Sequence, residues 1–453
     1  MASISTHDHI VDHILNKDGR EILEDELLSP VFSKLSEIEE RLPTFSIREL
    51  RFGNVLGFGA FGTVREVKDI DLLDESQYST ITSKTSEFTH SSERIQNDPQ
   101  LESEEIASIE CGDFNNSLVS RNDLAALCIR NGESRYAVKY IMTEDACSEQ
   151  QARARIDLEI EIRYLRALSH PNIIKIRGLL NTQQLFDPKL FFLMDRLYGT
   201  LQDRIGKWKE SVKIRDFHFM PCLKPFSHLK NYDAKREFTK ERLFIAHDIA
   251  SALTYMHHKK VIHRDIKKQN IGFDIRGNVK VFDFGLAKSL RDDRLSYCDY
   301  YNLTGNVGSI PYMAPEVALA KPYNEKCDVY SFGILLYEII SLRPPFRPAI
   351  KAKYKKAVAQ RGKRPRIMKK WPSLAKEVMK SSWMTSPHDR PNMKTIYLMI
   401  KGDLKMLETE ENIESHIECM ADISRHSSST YLNLDNISLE ELRHKCSFFQ
   451  SKA

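Results

Sequence analysis

The chain has 453 residues, of which 41% are hydrophobic, so it can form a buried core and is not disordered as a whole. Its 67 basic and 63 acidic residues leave a formal net charge of +4, which argues against nucleic acid as its main partner. No apolar run approaches the roughly 20 residues that span a bilayer. The eight cysteines lack the spacing of a metal site or a disulfide framework, so we expect a cytoplasmic protein, with the nucleus as the alternative.

The N-terminal residues, 1 to about 45, carry apolar side chains at helical spacing, for example at Ile10, Ile14 and Leu23. This pattern predicts an N-terminal extension of short helices that pack on the main domain. A docking arm for a partner protein is the alternative interpretation. At the other end of the chain, residues 402–453 are predicted to form a polar tail.

A glycine-rich motif begins at Leu56, where the sequence reads Leu-Gly-Phe-Gly-Ala-Phe-Gly-Thr-Val. Glycines let the backbone approach phosphate oxygens and donate N–H groups to them. The motif alone would also fit a chance turn or a dinucleotide site, but a dinucleotide motif opens a helix. Here the residues after Gly62 have a strand pattern, which favours a phosphate-binding turn between two strands.

Residues 46–401 alternate strand-like and helix-like segments and are predicted to form the main domain, with two interruptions. The first, from about 69 to 121, is rich in Ser, Thr, Asp and Glu, a composition typical of a disordered loop. The second, from about 206 to 239, mixes basic and aromatic residues, and we interpret it as a surface loop. A flap that docks substrate is the alternative for this second stretch.

A β-hairpin is predicted directly after the first insertion. Asn131-Gly132 stands between the apolar runs 127–130 and 136–139, and Asn-Gly is the strongest short signal for a tight hairpin turn. We therefore expect the insertion to interrupt the strand before this hairpin, and not the turn itself.

Lys139 ends the next predicted strand, and a lysine at a buried position requires a partner of opposite charge. The segment that follows, from about 145 to 168, has a helical pattern. It offers Glu159 and Glu161 as candidates for that partner.

The strongest signal is the motif His-Arg-Asp-Ile-Lys-Lys-Gln-Asn that begins at His263, followed by an Asp-Phe-Gly motif. Phosphoryl transfer needs metal ions at the phosphates, a carboxylate that orients the attacking hydroxyl and a cation beside the moving charge. Asp265 fits the carboxylate and Lys267 the cation. Asn270 and Asp283 are oxygen ligands suited to Mg²⁺. Each residue alone would fit an ordinary loop, but their order and spacing together predict transfer of phosphate from ATP.

Together these motifs resemble those of the eukaryotic protein kinases, and the resemblance extends from about Phe45 to Ile400. The triplet Ala-Pro-Glu that ends at Glu316 resembles the close of the kinase activation segment, and Arg390 resembles the arginine that pairs with its glutamate. The resemblance implies an α+β, two-lobed fold with ATP bound between the lobes. The N-lobe would hold a five-stranded antiparallel sheet and one main helix, and the C-lobe would be mostly α-helical.

The resemblance also implies roles for individual residues. Glu161, nine residues before His170, takes the position of the glutamate that pairs with the strand lysine, which leaves Glu159 as an exposed helix residue. Met194 takes the gatekeeper position, and the hinge follows it. The nucleotide-contacting residues implied in this way are Leu56, Gly57, Gly59, Gly62, Val64, Ala137, Lys139, Met194, Asp195 and Leu197.

Lys267 stands two residues after Asp265, where the resemblance implies a serine/threonine kinase. The segments around Asp328 and Trp371 look closest to the tyrosine-kinase-like group. Such a protein would use ATP and Mg²⁺ to phosphorylate protein substrates on Ser or Thr hydroxyls. A dual-specificity or tyrosine kinase is one alternative. A pseudokinase scaffold is another, although the three residues that such scaffolds usually lose are all present.

Arg264 precedes the predicted catalytic aspartate, and in kinases with that arginine a phosphate on the activation segment often supplies its anionic partner. Lys288 takes a second basic position of the same pocket. We therefore predict that an upstream kinase phosphorylates the segment 289–304, first at Thr304. The alternative sites are Ser296, Tyr300 and Tyr301.

Two positions depart from the kinase pattern. Lys268 stands where these kinases usually have proline, which a loop should tolerate. Gly272 stands where many of them place an apolar side chain beneath adenine, so we expect weaker ATP binding or a wider pocket unless Ile271 and Phe273 compensate. The basic run 343–370 is interpreted as a solvated face of the C-lobe. A nuclear import signal and a nucleic-acid or acidic-lipid patch are the alternatives for this run.

Overall fold

The computed structural model describes residues 42–58, 62–73, 120–141, 149–181, 190–217, 227–291, 295–297, 299–346 and 351–426. Two compact units are distinguished, Met1–Asp403 and Leu404–Ala453. The predicted extension before residue 42, most of the first insertion, Gly59 and the tail after residue 426 lie outside the described residues. Among the described helices, none combines the length and the apolar character needed to cross a bilayer.

Short strands and longer helices make up the described chain. The strands are β1 (Thr44–Phe45), β2 (Leu50–Phe58), β3 (Thr63–Ile70), β4 (Ile129–Arg130), β5 (Glu133–Ser134), β6 (Tyr136–Tyr140), β7 (Ile176–Leu180), β8 (Phe191–Asp195), β9 (Val261–Ile262), β10 (Ile271–Phe273), β11 (Val279–Val281), β12 (Lys288–Ser289), β13 (Leu295–Tyr297) and β14 (Tyr300–Tyr301). The α-helices are α1 (Arg121–Ala126), α2 (Glu149–Ala167), α3 (Leu201–Phe217), α4 (Ser227–His258), α5 (Pro315–Ala318), α6 (Lys326–Ser341), α7 (Lys351–Tyr354), α8 (Ser373–Ser382) and α9 (Met393–His426). Single 3₁₀ turns cover Ile47–Glu49, Lys268–Asn270 and Pro387–Asp389, and a π-helical turn covers Lys355–Gln360.

Six of these strands form one sheet in the order β1-β7-β8-β6-β3-β2, and the others pair in twos. Neighbours in the sheet are antiparallel except β1, which pairs parallel with β7. The central strand β8 is a continuous apolar run from Phe191 to Met194 because both of its faces are buried. The mostly helical part of the chain surrounds α6, in which residues 327–340 are all buried. The predicted two-lobed α+β fold is thereby confirmed.

The sheet has one strand more than predicted, because Thr44–Phe45 pairs with β7. The ring of Phe45 is fully buried, and Gly178 leaves the space for it, since a Cβ at Gly178 would lie 2.7 Å from a carbon of that ring. A strand of two residues is too short to produce an alternating sequence pattern. The predicted end of the N-terminal extension at residue 45 is therefore corrected, because residues 44 and 45 belong to the sheet.

Asn131 and Gly132 form the turn of the β4–β5 hairpin, with positive φ angles of 52° and 79°. Positive φ at both central residues is what the favoured two-residue turn requires, so the predicted turn is confirmed. The run 136–139 was predicted to be the second strand of this hairpin. This prediction is wrong, because the run lies in β6 of the large sheet. Among the described residues, the insertion follows β3, which ends at Ile70, and precedes α1, which begins at Arg121. It therefore does not lie within the strand before the hairpin, as was predicted.

The interpretation of residues 206–239 as a surface loop is wrong for the described backbone, which is helical over 206–217 and 227–239 within α3 and α4. Trp208 continues the helix face of Leu201 and Ile205, which precede the stretch, and all three are buried. The mixed basic and aromatic composition of the stretch conceals this spacing. Residues 218–226, between the two helices, lie outside the described residues.

Both ends of the first insertion are held by one buried carboxylate. Glu49 has no exposed surface, and its Oε1 accepts the backbone N–H of Leu73 at 3.0 Å and pairs with the guanidinium of Arg121. Its Oε2 accepts the backbone N–H of Ser46 at 2.7 Å. Because Leu73 precedes residues 74–119 and Arg121 follows them, the chain leaves the sheet and returns to it at the same point.

Replacing Glu49 by Ala should lower the free energy of unfolding by about 3 kcal/mol, because three donors lose one buried, charged acceptor. Chemical denaturation of the purified chain measures this change. The matched control is Asp71→Asn directly after β3, where the paired side chains of Arg51 and Asp71 are 69% and 48% exposed. That control should cost less than about 1 kcal/mol. Equal losses in the two variants would contradict the role given to Glu49.

Candidate active site

The antiparallel hairpin of β2 and β3 carries the glycine motif, with Gly57 opposite Val64. A Cβ at Gly57 would meet nothing within 4 Å, so the backbone there is open to a ligand. A Cβ at Gly62 would lie 2.8 Å from the carbonyl oxygen of Tyr140, so a side chain does not fit at that position. The structure thus places the predicted phosphate-binding turn between two strands, as its sequence pattern indicated.

Other predicted nucleotide-contacting residues lie on the same sheet. Leu56 is on β2, and Ala137 on β6 stands directly opposite Met194 on β8. Asp195 ends β8, and its carboxylate accepts two hydrogen bonds from Arg177, at 2.7 and 3.0 Å. The segment 195–199, here called the hinge, therefore begins at a fixed residue.

Gly272 lies close to the hinge residue Leu197. A Cβ at Gly272 would lie 2.5 Å from Cδ1 of Leu197 and 3.3 Å from the ring of Phe282. The space that a side chain at position 272 would use is therefore filled by Leu197. Ile271 and Phe273, which were predicted to compensate, are both buried. Their role beneath adenine stays a prediction.

Lys139 lies on β6, and its Nζ is 2.5 Å from Oε2 of Glu161 on α2 and 3.4 Å from Oδ1 of Asp283. Glu159 pairs instead with Arg163, one turn further along the same helix. The structure therefore brings Lys139 and Glu161 together and leaves Glu159 outside the site.

Neighbouring charges determine the protonation states of Lys139 and Asp283. Burial alone would lower the pKa of Lys139, but the carboxylates of Glu161 and Asp283 outweigh burial and raise this pKa above its ordinary value. Burial would raise the pKa of Asp283, but the positive charges of Lys139, His263 and Lys267 hold it below its ordinary value. At neutral pH, Lys139 is therefore a cation and Asp283 is an ionised carboxylate.

Asp265 is buried and is held from three directions. Lys267 Nζ lies 2.6 Å from its Oδ2, and Asn270 Nδ2 donates to the same oxygen at 3.1 Å. The backbone N–H of Ser309 donates to Oδ1 at 2.8 Å. These contacts fix the direction of the carboxylate and keep the cation of Lys267 beside it.

The backbone of the loop 263–270, here called the catalytic loop, is held by Asp328. This residue lies in the first turn of α6, has no exposed surface and accepts the N–H groups of His263 and Arg264, each at 2.8 Å. Burial alone would raise the pKa of Asp328, but a hydrogen bond from His257 and the nearby charges keep this pKa below its ordinary value. Asp328 was not among the predicted site residues. Its signal in the sequence is an acidic residue at the start of an apolar helix, where an ionised side chain needs partners.

Arg264 and Asp283 both have a left-handed backbone, with φ angles of 65° and 68°. Residues other than glycine rarely adopt this conformation, so the surrounding contacts must stabilise it. For Arg264 these contacts are the bond to Asp328 and a bond from its Nε to the carbonyl oxygen of Leu286 at 2.6 Å. For Asp283 the next residue, Phe284, is fully buried and anchors the turn.

The predicted regulatory residues Arg264 and Thr304 are joined through Tyr323. Arg264 Nη1 donates to the Tyr323 hydroxyl at 3.1 Å, and that hydroxyl donates to the carbonyl oxygen of Thr304 at 2.8 Å. The side chain of Thr304 is exposed. Lys288 lies on β12, opposite Ile262 on β9, directly before the catalytic loop.

Glu316 and Arg390 form a buried ion pair with two parallel bonds, Nη1 to Oε1 at 2.7 Å and Nη2 to Oε2 at 2.8 Å. Arg390 also donates to the carbonyl oxygens of Lys326 and Met384, at 2.8 and 2.9 Å. This pair fixes the start of α5, and hence the end of the segment that carries Ser309, against the rest of the helical lobe.

Lys268 has a partner that reasoning from the sequence missed. Its Nζ lies 2.6 Å from Oε1 of Glu338, which is 1% exposed, and the Tyr312 hydroxyl donates to the other carboxylate oxygen at 2.5 Å. Glu338 therefore joins the loop that carries Asp265 to the segment that carries Ser309. The available signal was an acidic residue inside an otherwise apolar helix.

Comparison with known proteins gives one family. A family model described as "Protein kinase domain" matches residues 124–399. "Mitogen-activated protein kinase kinase kinase 7" of Drosophila melanogaster is 30% identical over 246 residues, which are 53% of this chain and 31% of that protein. "Serine/threonine-protein kinase CTR1" of Arabidopsis thaliana is 28% identical over 59% of this chain and 29% of its own length. "Serine/threonine-protein kinase STY17" of Arabidopsis thaliana is 31% identical over 55% of this chain and 38% of its own length. The chain thus spans about a third of the length of these relatives.

Replacing Arg390 by Met should lower the free energy of unfolding by about 3 to 5 kcal/mol, because the carboxylate of Glu316 remains buried without its partner. The matched control is Glu241→Gln, which breaks the pair between Arg204 and Glu241, whose side chains are 34% and 40% exposed. That change should cost less than about 1 kcal/mol. Denaturation curves of the three proteins compare the two effects, and a loss at Arg390 no larger than the control would refute the assignment.

Proposed function

The chain belongs to the protein kinase family, and on that premise we propose that it transfers the γ-phosphate of ATP to serine and threonine hydroxyls of protein substrates. Membership of this family confirms the resemblance found in the sequence, and the relatives are consistent with the tyrosine-kinase-like group. The observation that carries the proposal is the convergence on Asp265, where a cation, an amide and a backbone N–H hold one buried carboxylate. Such an arrangement suits a group that must meet an attacking hydroxyl.

ATP is proposed to bind beneath the β2–β3 hairpin, with its phosphates near Lys139. The donor set fits Mg²⁺, because Asn270 offers an amide oxygen and Asp283 offers a carboxylate kept ionised by its neighbours. We assign these two residues to the metal, which when bound would neutralise charge on the phosphates. Glu161 keeps Lys139 directed at the phosphate site.

The transfer step follows from the same geometry. The oxygen of the acceptor hydroxyl bonds to the γ-phosphorus as the bond to the departing ADP breaks, and the hydroxyl proton passes to Asp265. Lys267, 2.6 Å from that carboxylate, lies where it would stabilise negative charge on the moving phosphoryl group. The positions of both residues on a loop anchored to α6 support these roles.

Serine and threonine are favoured as acceptors for two reasons. Lys267 follows the proposed base by two residues, and two of the similar proteins carry "Serine/threonine-protein kinase" in their names. A third is named a mitogen-activated protein kinase kinase kinase, which supports protein substrates within a kinase cascade. We retain the cytosol, with the nucleus as the alternative, as the proposed location, on the basis of the cysteine pattern.

Control by phosphorylation of the activation segment is also proposed, with an upstream kinase as the partner. Two observations support this idea. Thr304 is exposed, and Tyr323 links its carbonyl oxygen to the guanidinium of Arg264 through two hydrogen bonds. A phosphate there would meet a guanidinium that is already fixed beside Asp265.

A scaffold without activity is the second candidate function. It is kept because Gly272 lacks the apolar side chain that the kinase pattern places beneath adenine. Measurement of phosphate transfer distinguishes such a scaffold from an active kinase.

Asp265→Asn should reduce phosphate transfer from ATP to a generic basic protein by about a hundredfold or more, because the acceptor hydroxyl loses its proton acceptor. Transfer is followed with labelled ATP and Mg²⁺, and the labelled residues are identified. We expect label on serine and threonine in the unmutated chain. Asp71→Asn, an exposed aspartate directly after the end of β3, serves as the control and should keep full activity. Transfer by Asp265→Asn at the control rate would exclude the proposed mechanism.

Thr304→Ala should lower both the phosphate content of the activation segment and the transfer rate after treatment with an activating kinase. Mass spectrometry of the segment and the labelled-ATP assay measure the two effects. Ser296→Ala is the comparison within the same segment and should change neither. If Thr304→Ala leaves both quantities unchanged, Thr304 is not the regulatory site.

A further inference from the structure

Glu66 on β3 is a buried carboxylate with no part in the mechanism above. It is 7% exposed, and it accepts hydrogen bonds from three separate segments of the chain. The hydroxyl of Ser134 and Nη1 of Arg196 each lie 2.8 Å from its Oε1, and the backbone N–H of Asn54 lies 3.2 Å from its Oε2. A buried acid with three partners holds those partners in fixed relative positions.

The hinge residues Arg196 and Tyr198 make further contacts with neighbouring segments. Arg196 Nη1 also lies 3.3 Å from Oε2 of Glu133, and the backbone N–H of Arg196 donates to the carbonyl oxygen of Arg135 at 2.8 Å. The Tyr198 hydroxyl donates to the carbonyl oxygen of Ser134 at 2.6 Å, and the guanidinium of Arg196 lies 4.7 Å from the centre of the Tyr198 ring. Arg196 is therefore tied to β3 and β5, and Tyr198 is tied to β5.

The local sequence provides the space for this cluster. A Cβ at Gly53 would lie 2.5 Å from Oε2 of Glu66, so a side chain at that position would displace the carboxylate. Gly53 and Asn54 lie on β2, just before the glycine motif. The cluster therefore joins the strand that leads into the phosphate-binding turn to the hinge.

The charges of the cluster match. Burial alone would raise the pKa of Glu66, but hydrogen bonds from Ser134 and Asn54, with the positive charge of Arg196, hold it below its ordinary value. The side chains of Arg196 and Glu66 are 15% and 10% exposed, so solvent screens their attraction far less than at the surface.

We propose that Glu66, Ser134, Arg196 and Tyr198, here called the hinge clamp, position the backbone of Leu197 and thereby set the affinity of the cleft for nucleotide. Arg196 and Glu66 are positioning residues in this scheme, because they act through Leu197 and touch no reacting atom. The inference rests on the proposed function, in which ATP binds between the β2–β3 hairpin and the hinge.

The contact between Leu197 and Gly272 explains why the position of Leu197 matters. Leu197 fills the space beside Gly272, so a shift of the hinge backbone moves a wall of the cleft as well as the hinge itself. The catalytic loop does not take part in the clamp. Loss of the clamp therefore weakens nucleotide binding and leaves the transfer step intact.

The test compares Arg196→Met and Glu66→Gln with the unmutated chain. The KM for ATP and the calorimetric Kd for ATP should rise at least about fivefold, the lower end of typical coupling between sites. The value of kcat and the KM for the acceptor protein should stay within about twofold, since a loss of uniform binding raises KM alone. A purely structural role would instead lower the fraction of active protein, so kcat would fall with the KM for ATP unchanged, and this result would overturn the proposal.

Three further variants sharpen the result. Arg196→Lys keeps the charge and should recover part of the affinity, and Tyr198→Phe, which removes only one hydrogen bond, should give a smaller shift without loss of folding. The double variant Glu66→Gln with Arg196→Met should bind ATP no more weakly than the worse single variant, since both remove the same interaction. Asp71→Asn, directly after β3, is the control, and an equal shift there would overturn the clamp.

The calorimetric Kd separates this inference from the proposed function. If the unmutated chain binds ATP and transfers no phosphate, the proposed function fails, while the Kd values still decide the clamp. Additive losses in the double variant, or unchanged Kd values in both single variants, would overturn the clamp even in an active kinase. Absence of ATP binding by the unmutated chain would overturn both.

Discussion

The carboxylate of Asp328 accepts the backbone N–H groups of His263 and Arg264 from a position with no exposed surface. These two bonds hold Arg264 in a left-handed conformation that an arginine would not keep unaided. The next residue is Asp265, so the direction of the proposed base depends on them. A strained backbone is tolerated here because a rigid, fully buried helix supplies the acceptor.

The same helix, α6, holds the site at a second position ten residues further along, where Glu338 accepts bonds from Lys268 and Tyr312. Asp328 and Glu338 stand about 15 Å apart along the axis of α6. One rigid element therefore fixes both the loop that carries Asp265 and the segment that carries Ser309. The apolar residues between the two acids bury α6 in the lobe, so the acids cannot move relative to each other without loss of the core.

Much of the site was predictable from the sequence because its residues occur in short motifs whose spacing reflects one local function. Asp265, Lys267 and Asn270 lie within one loop, and the turn at Asn131-Gly132 depends only on backbone preferences. The partners of Lys268 and Arg196 were not predictable in this way, because each pair joins residues far apart in the chain. The two-residue strand at Thr44 was too short to leave a pattern, and the aromatic composition of the second insertion obscured its helical spacing. The resemblance implied the ion pairs Lys139–Glu161 and Glu316–Arg390, and the structure contains both. The contacts made by Asp328, Glu338 and Glu66, which also join distant segments, were missed.

The junction at Glu49 has an evolutionary consequence. Since the free-energy cost of closing a loop rises by only about 0.6 kcal/mol for each doubling of its length, a segment whose two ends are pinned together can change length at little cost. Residues 74–119 begin and end at that junction, so insertions, deletions or exchange of the segment would leave the register of the sheet unchanged. Natural selection can therefore alter this part of the chain independently of the cleft, and related chains can differ greatly there while they share one catalytic core.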